Sequence, residues 1–291
     1  MSVIFIDAAM GTRLVDRGFD LSSPLWSASV LESNPEAIAE IHREDIAAGA
    51  TVITTNSFRT TPYALHGAGF NGVEAHNRAR ALTLLSIRIA WKCIKESGKD
   101  IRIAGSIAPL ADCYTPKAYP GNISSRPWHD AQLDNLDHQA TDILLAETMN
   151  SAREAKLLAE LALKREKEVW VSFTLNGNGR ILNGDDLTVA AMDLERMGVD
   201  AVGINCSTPE VTLRAIQALR EAIDIPIIAY PNMGKADHKS GKITNCLTAD
   251  AFAEWTIKAE AAGASILGAC CGSNQEHLQA ITTALAEEPA S

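Results

Sequence analysis

Residues 262–267 read Ala262-Gly263-Ala264-Ser265-Ile266-Leu267, and two earlier segments follow the same design. The earlier copies are Ala48-Gly49-Ala50-Thr51-Val52-Ile53 and Met197-Gly198-Val199-Asp200-Ala201-Val202. In each copy a helical pattern ends at a glycine and a buried strand begins two residues later. This is typical of the loop that joins a helix to the next parallel strand. The three copies therefore predict a repeating strand–helix unit.

In the rest of the chain, short runs of β-branched and apolar residues alternate with helical patterns. Strands are predicted at residues 3–7, 51–55, 102–106, 142–147, 169–174, 201–205, 226–230 and 265–267. Helices are predicted at residues 35–48, 73–97, 128–139, 151–165, 188–197, 210–222, 249–262 and 275–286, and long loops at 109–127, 176–186 and 231–245. About eight such units in 291 residues predict an α/β protein, a single-domain (β/α)8 TIM barrel over residues 1–291.

An open, doubly wound sheet is the alternative arrangement of alternating strands and helices. That fold would need a glycine-rich phosphate turn after the first strand. The segment Asp7-Ala8-Ala9-Met10-Gly11 does not supply such a turn, and the barrel is therefore favoured.

The composition excludes several classes of protein. A formal net charge of −10 offers no basic stripe for phosphates, so nucleic acid is not expected as a partner. No stretch approaches ~18 apolar residues, so no membrane span is expected, and residues 1–7 lack the basic region of a signal peptide. Six cysteines without regular spacing indicate metal-binding thiols in a reducing cytoplasm rather than a disulfide framework. The sequence is compatible with a homo-oligomer as well as with a monomer.

Polar or metal-binding residues follow nearly every predicted strand. In a (β/α)8 barrel the C-terminal ends of the strands share one rim, and this rim carries the chemistry. We therefore predict a group of substrate-binding residues there, namely Asp7, Thr55, Ser106, Glu147, Asn205 and Tyr230.

Three cysteines are placed to share one metal ion at that rim. Cys270 and Cys271 are adjacent, with Cα atoms about 3.8 Å apart, whereas a disulfide prefers roughly 5.5–6 Å. Cys206 ends the sixth predicted strand and supplies a third thiolate. Three protein ligands leave one position open on tetrahedral zinc, which is typical of a catalytic site. Because zinc lowers the pKa of a bound thiol, the pattern predicts alkyl transfer to a substrate thiol. The alternative is that the cysteines are small buried hydrophobic residues.

These residues resemble the homocysteine S-methyltransferases, a family of zinc-dependent (β/α)8 enzymes. The resemblance extends over almost the whole chain and is carried by short motifs at the strand ends. They include Asp7 with Met10-Gly11-Thr12, Thr55-Asn56-Ser57-Phe58, Gly105-Ser106-Ile107-Ala108-Pro109, Glu147-Thr148, Gly203-Ile204-Asn205-Cys206, Tyr230-Pro231-Asn232-Met233-Gly234 and Cys270-Cys271-Gly272.

The resemblance implies specific roles for the rim. It implies zinc on Cys206, Cys270 and Cys271, with the homocysteine sulfur in the open position, and it implies that Asp7 and Glu147 hold the amino end of homocysteine. Tyr230 could line the sulfur site, fill the open zinc position of the empty enzyme, or be a core aromatic residue.

The expected reaction moves a methyl group from a small onium donor to homocysteine and gives methionine. S-Methylmethionine is the first choice of donor, followed by S-adenosylmethionine or a betaine-type compound. Ala8 and Ala269 stand where the family usually has glycine. They make selenocysteine or another thiol an alternative acceptor. A non-catalytic zinc- or thiol-binding barrel is the alternative from a different class.

Overall fold

Eight parallel strands form the centre of the computed structural model, which describes residues 3–236, 243–244 and 246–286. The strands are β1 (Ile4–Phe5), β2 (Val52–Thr54), β3 (Arg102–Ile107), β4 (Ile143–Met149), β5 (Glu168–Phe173), β6 (Ala201–Asn205), β7 (Ile227–Tyr230) and β10 (Ala264–Leu267). Their order is β1-β10-β7-β6-β5-β4-β3-β2, and a parallel bridge between Ile6 and Val52 joins the two ends of the sheet. The predicted barrel is therefore confirmed.

Helices connect the strands and cover the barrel. They are α1 (Gly11–Asp16), α2 (Val30–Ser33), α3 (Pro35–Ala47), α4 (Pro62–Gly67), α5 (Gly72–Ser97), α6 (Asn122–Leu136), α7 (Ala152–Ala162), α8 (Leu187–Met197), α9 (Pro209–Arg220), α10 (Ala249–Ala261) and α11 (Gln275–Ala286). Several helices begin at a polar N-cap residue. The side chains of Ser151, Thr208 and Thr248 each accept a hydrogen bond from a backbone N–H of the first turn. Within the described part of the chain, no helix is long and apolar enough to cross a membrane.

The repeated glycines behave as their spacing predicts. Gly49, Gly198 and Gly263 follow helices and have φ values of 103°, 96° and 110°. These left-handed conformations are readily adopted by glycine, which has no Cβ. They turn the chain from the outer helix layer back to the next strand.

Side chains alternate along each strand between two buried clusters. The inner cluster contains Val52, Ala104, Leu145, Trp170 and Ile228, among others, and fills the barrel. The outer cluster lies between the strands and the helices. Because side chains alternate with a period of two, residues two positions beyond the inner cluster also face the barrel axis.

The predicted loop at residues 109–127 is wrong in its second half. It contains a short 3-10 turn (Pro116–Ala118), and α6 begins at Asn122, six residues before the predicted helix start, and includes Pro127. A proline inside a helix removes one N–H and frees the carbonyl four residues earlier, that of Ile123. Ile123 is 93% exposed, so solvent can hydrogen-bond that carbonyl. The helix therefore tolerates a residue that usually ends one.

Another predicted loop also contains regular structure. The loop expected at residues 231–245 includes an antiparallel pair, β8 (Lys235–Ala236) and β9 (Ile243–Thr244). The rest of that expectation, residues 237–242 and 245, lies outside the described residues, as do residues 1–2 and 287–291 of the predicted domain.

Gly203 in β6 is expected to be essential for closing the barrel. A Cβ at this position would overlap the backbone carbonyl of Ile228 on β7, and two paired strands cannot move apart cheaply. Gly203→Ala should lower the free energy of unfolding by about 3 kcal/mol, measured by urea denaturation.

Gly67→Ala is the control, since a Cβ there meets nothing within 4 Å. It should change stability by at most about 1 kcal/mol. Equal stability of the two variants would contradict this account.

Candidate active site

A layer of polar side chains closes the C-terminal end of the barrel interior. Each member lies two residues beyond an inner-facing position of its strand, which places it above the apolar layer. The layer comprises Ser106, Glu147, Ser172, Asn205 and Tyr230. Four of these residues were predicted as substrate-binding residues, and Ser172 was not.

Hydrogen bonds connect this layer into one network. The Ser106 hydroxyl donates to one carboxylate oxygen of Glu147, and the Tyr230 hydroxyl donates to the other at 3.2 Å. Tyr230 also lies 2.8 Å from the Ser172 hydroxyl, which donates to Oδ1 of Asn205 at 2.8 Å. Glu147 is therefore held at both oxygens, and the Tyr230 hydroxyl is directed to this carboxylate.

Asp7 is held beside this network by β2. The Asp7 carboxylate accepts bonds from the backbone N–H of Thr54 at 2.8 Å and from the Thr54 hydroxyl at 2.8 and 3.0 Å. The hydroxyl of Thr55 instead pairs with Ser57 at 2.7 Å and accepts a bond from the N–H of Ser106 at 3.1 Å. Thr55, the residue predicted to bind substrate, already has two partners within the protein, whereas its neighbour orients Asp7.

A buried ion pair lies behind Asp7. Arg13 donates to Asp45 at 2.6 Å, and both side chains are almost fully buried. Arg13 also pairs with the partly exposed Glu44. Burial raises the pKa of Asp45 to about 6, although the charge of Arg13 acts in the opposite direction. A carboxylate at Asp45 in turn helps to raise the pKa of Asp7.

Burial is the main electrostatic influence on the two rim carboxylates. It raises the pKa of Asp7 well above the ordinary value, and the charge of Asp45 adds to this rise. Burial also raises the pKa of Glu147, while the bonds from Ser106 and Tyr230 lower it. A cation bound between Asp7 and Glu147 would favour their ionised forms.

Three sulfur atoms converge on the same rim. The Sγ atoms of Cys206, Cys270 and Cys271 all lie within 4.8 Å of one another. Among residues 3–236, 243–244 and 246–286, this is the one group of three or more histidine, cysteine or acidic side chains close enough to hold a metal ion. Sulfur ligands in this number suit a soft or borderline metal.

The structure contains a disulfide bond that the sequence did not predict. Cys206 and Cys270 form a disulfide, whereas Cys271 is free with its Sγ 3.9 Å from that of Cys270. The Cα atoms of the bonded pair are 5.6 Å apart, a separation that a disulfide spans. Metal binding by all three sulfurs requires this bond to be reduced, because the thiolate is the ligand.

Thr148 connects the carboxylate strand to the sulfurs, a role that the sequence did not reveal. Its N–H donates to Oδ1 of Asn205 at 2.8 Å, and Nδ2 of Asn205 donates to its hydroxyl at 2.8 Å. The Thr148 hydroxyl lies 3.9 Å from the sulfur of Cys206. Thr148 and Cys206 have φ values of 56° and 49°, which are unusual for residues other than glycine. Such strain is often found at functional sites.

Two loops lie over the rim and meet at Asn150, just after β4. The Asn150 side chain donates to the carbonyls of Asp112 and Cys113 at 3.2 and 3.1 Å. The backbone carbonyl of Asn150 accepts a bond from the N–H of Asn183 at 3.1 Å. Asn150 therefore connects the loop after β3 to the loop after β5.

If Asp7 binds the substrate as predicted, Thr54→Val should weaken that binding. The variant keeps the size of the side chain and the backbone bond, but it removes the hydroxyl contacts to the carboxylate. We expect the KM for the thiol substrate to rise about tenfold, in line with the loss of one hydrogen bond to a charged group, without a change in metal content. Thr51→Val is the control, because Thr51 bonds Phe5 at the opposite end of β2. An unchanged KM in Thr54→Val would show that Asp7 is oriented by other groups.

Comparison with known proteins agrees with this geometry. A family-wide sequence profile described as homocysteine S-methyltransferase matches residues 4–285. Homocysteine S-methyltransferase of Escherichia coli (strain K12) is 31% identical over 96% of this chain and 94% of that protein. Selenocysteine methyltransferase of Astragalus bisulcatus is 29% identical over 95% and 91% of the two chains. The metallated crystal form of the homocysteine methyltransferase MmuM from Escherichia coli superposes with a TM-score of 0.83 and 30% identity, covering 97% of this chain and 96% of that one.

Proposed function

The chain belongs to the homocysteine S-methyltransferase family, and from this premise we propose that it moves a methyl group from a small onium donor to the sulfur of homocysteine, giving methionine. The observation that carries the proposal is the convergence of Cys206, Cys270 and Cys271 at the rim that holds Asp7 and Glu147. One side of the site suits a thiolate-binding metal, and the other suits an ammonium group.

We propose that the metal is zinc and that the three cysteines hold it. The donor set fits, since catalytic zinc has three protein ligands and takes substrate or water in the remaining position. When bound, zinc would supply Lewis acidity that keeps the homocysteine thiol ionised at neutral pH. The need for reduced cysteines agrees with a reducing compartment, and we propose the cytoplasm.

The protein's own residues position the substrate. Asp7 and Glu147 offer two carboxylates to the homocysteine ammonium group, and each is already oriented by bonds from neighbouring strands. Asn205 and Thr148 hold β4 against the start of the loop that carries Cys206. This arrangement places the ammonium site and the sulfur site at a fixed separation, which favours a substrate with both groups.

Ala8 and Ala269 do not intrude on this site. The two residues are 6% and 3% exposed and belong to the buried cluster between the strands and the helices. The departures from the family pattern therefore leave homocysteine as the first acceptor. Similarity to a selenocysteine methyltransferase makes selenocysteine a second candidate, because the selenol has the same chain chemistry and ionises more readily.

A donor and acceptor screen tests the proposal. The reduced, zinc-loaded protein is incubated with homocysteine, selenocysteine or cysteine and with S-methylmethionine, S-adenosylmethionine or glycine betaine, and methylated products are measured by mass spectrometry. We expect the highest kcat/KM for homocysteine with S-methylmethionine. Bound zinc without methyl transfer from any donor would instead support a non-catalytic metal-binding barrel.

A further inference from the structure

A cleft between two loops at the rim has the chemistry of a binding site. It has a volume of about 360 Å³ and is lined by Tyr114, Thr115, Pro116, Lys117, Leu182 and Asn183. These residues come from the two loops that meet at Asn150. One lining residue is aromatic, one is cationic and none is acidic.

Hydrogen bonds connect both walls of the cleft to the rim that carries the sulfurs. On one wall, the N–H of Leu182 donates to the carbonyl of Thr174 at 3.1 Å, and the Thr174 hydroxyl donates to the carbonyl of Cys206 at 3.3 Å. On the other wall, Tyr114 follows Cys113, whose carbonyl accepts a bond from the Asn150 side chain at 3.1 Å. A molecule in the cleft would therefore lie at the rim, on the side of Cys206.

We propose that this cleft is the methyl-donor site and that it selects a compact onium compound carrying a carboxylate, such as S-methylmethionine. The inference rests on the proposed function and assigns its donor subsite. The ring of Tyr114 contacts the onium group, and the ammonium of Lys117 pairs with the donor carboxylate.

The absence of an acidic side chain among the six lining residues favours recognition of the onium group by the aromatic ring. An onium group cannot donate a conventional hydrogen bond, and a ring face attracts it without one. Lys117 is exposed, and in the described part of the chain no carboxylate lies within ion-pair distance of it. A free cation in a donor site calls for an anionic group on the donor. The single ring offers no second surface for stacking a purine, which disfavours S-adenosylmethionine.

The reaction in this arrangement balances without a further reactant. The homocysteine thiolate forms a bond to the methyl carbon with its own electron pair. The bond between that carbon and the donor sulfur breaks, and its electron pair stays on the donor as a neutral thioether. The onium charge and the thiolate charge both disappear, so no proton needs to move during methyl transfer.

Lys117→Met tests the carboxylate contact with two ligands. The KM for S-methylmethionine should rise about fivefold, as expected for one solvent-accessible ion pair. The inhibition constant of trimethylsulfonium, which has no carboxylate, should not change. Lys92→Met on α5 is the matched control, since Lys92 is also exposed and lies away from the rim. Equal effects on both ligands, or on neither, would overturn the assignment.

Tyr114 variants test the contact with the onium group. Tyr114→Leu should raise the S-methylmethionine KM and the trimethylsulfonium inhibition constant about tenfold, while Tyr114→Phe should keep both within twofold. The KM for homocysteine should be unchanged in each variant. Equal behaviour of the two variants would exclude the ring as the contact. Because Lys117 is exposed, its variant decides the inference even if Tyr114→Leu does not fold. A wild-type protein that transfers no methyl group from any donor would instead refute the proposed function.

Discussion

If the three cysteines hold zinc as proposed, Cys271→Ala should lower bound zinc from one ion per chain to a trace and lower kcat/KM for homocysteine about a thousandfold. Cys271 contributes one of three sulfurs that lie within 4.8 Å of one another. Loss of one ligand from a three-cysteine site removes the geometry that catalytic zinc requires. Lewis-acid stabilisation by a metal contributes several kcal/mol, which corresponds to the expected loss of rate. Zinc content is measured by mass spectrometry on protein prepared and desalted in a thiol-free reductant.

The control for this experiment is another cysteine of the same chain. Cys246 is free and exposed, and it is not a member of the sulfur cluster. Cys246→Ala should keep both the zinc and the activity, which separates a metal ligand from a general requirement for thiols. Full turnover by Cys271→Ala with no bound metal would show that the proposed zinc chemistry is wrong.

The barrel could be predicted because its determinants are local. Glycine after a helix and β-branched or apolar residues after the glycine define three of the units within a few residues, and Ala201–Asn205 and Gln275–Ala286 match their predicted bounds. The start of α6 could not be predicted in this way. Pro127 ends a helix in most contexts, and only the exposure of Ile123 shows why it does not do so here.

The site could be predicted as a set of strand ends but not as a set of contacts. Predicting that Thr54 rather than Thr55 bonds Asp7 requires the register of β1 against β2, because neighbouring residues on a strand face opposite sides. Ser172 also becomes visible only when β5 and β7 are placed in the same barrel, where its hydroxyl meets Tyr230. Sequence therefore indicates which strands contribute, and the three-dimensional register decides which atoms meet.

Glu147→Gln should lower kcat/KM for homocysteine about a hundredfold while zinc remains bound. The substitution keeps the size of the side chain and a carbonyl oxygen that Ser106 or Tyr230 can contact. It removes the charge that we propose for the substrate ammonium group. Breaking a hydrogen-bonded charge pair that is shielded from water costs roughly 2–5 kcal/mol, and the expected loss lies within that range.

An analogue without the amino group separates this role from others. 4-Mercaptobutyrate has the thiol and the carboxylate of homocysteine but no ammonium, so Glu147→Gln should leave its kcat/KM nearly unchanged. Glu166→Gln, at an exposed position of the α7–β5 connection, is the matched control and should affect neither substrate. If both substrates lost activity equally in Glu147→Gln, the carboxylate would act on the metal or the methyl donor rather than on the ammonium group.

The same substitution should raise stability while it lowers activity. Burial raises the pKa of Glu147 in the folded protein, so the folded state binds this proton more tightly than the unfolded state does. Stability contributed by the protonated form is therefore lost as pH rises through the raised pKa. The neutral amide of the Glu147→Gln variant does not carry this cost, and the free energy of unfolding of that variant should exceed that of the wild type at neutral pH. The difference should vanish below about pH 4, where glutamate is protonated in both states. Urea denaturation across this pH range measures it, and a variant less stable than wild type at neutral pH would contradict the cost assigned to the buried charge.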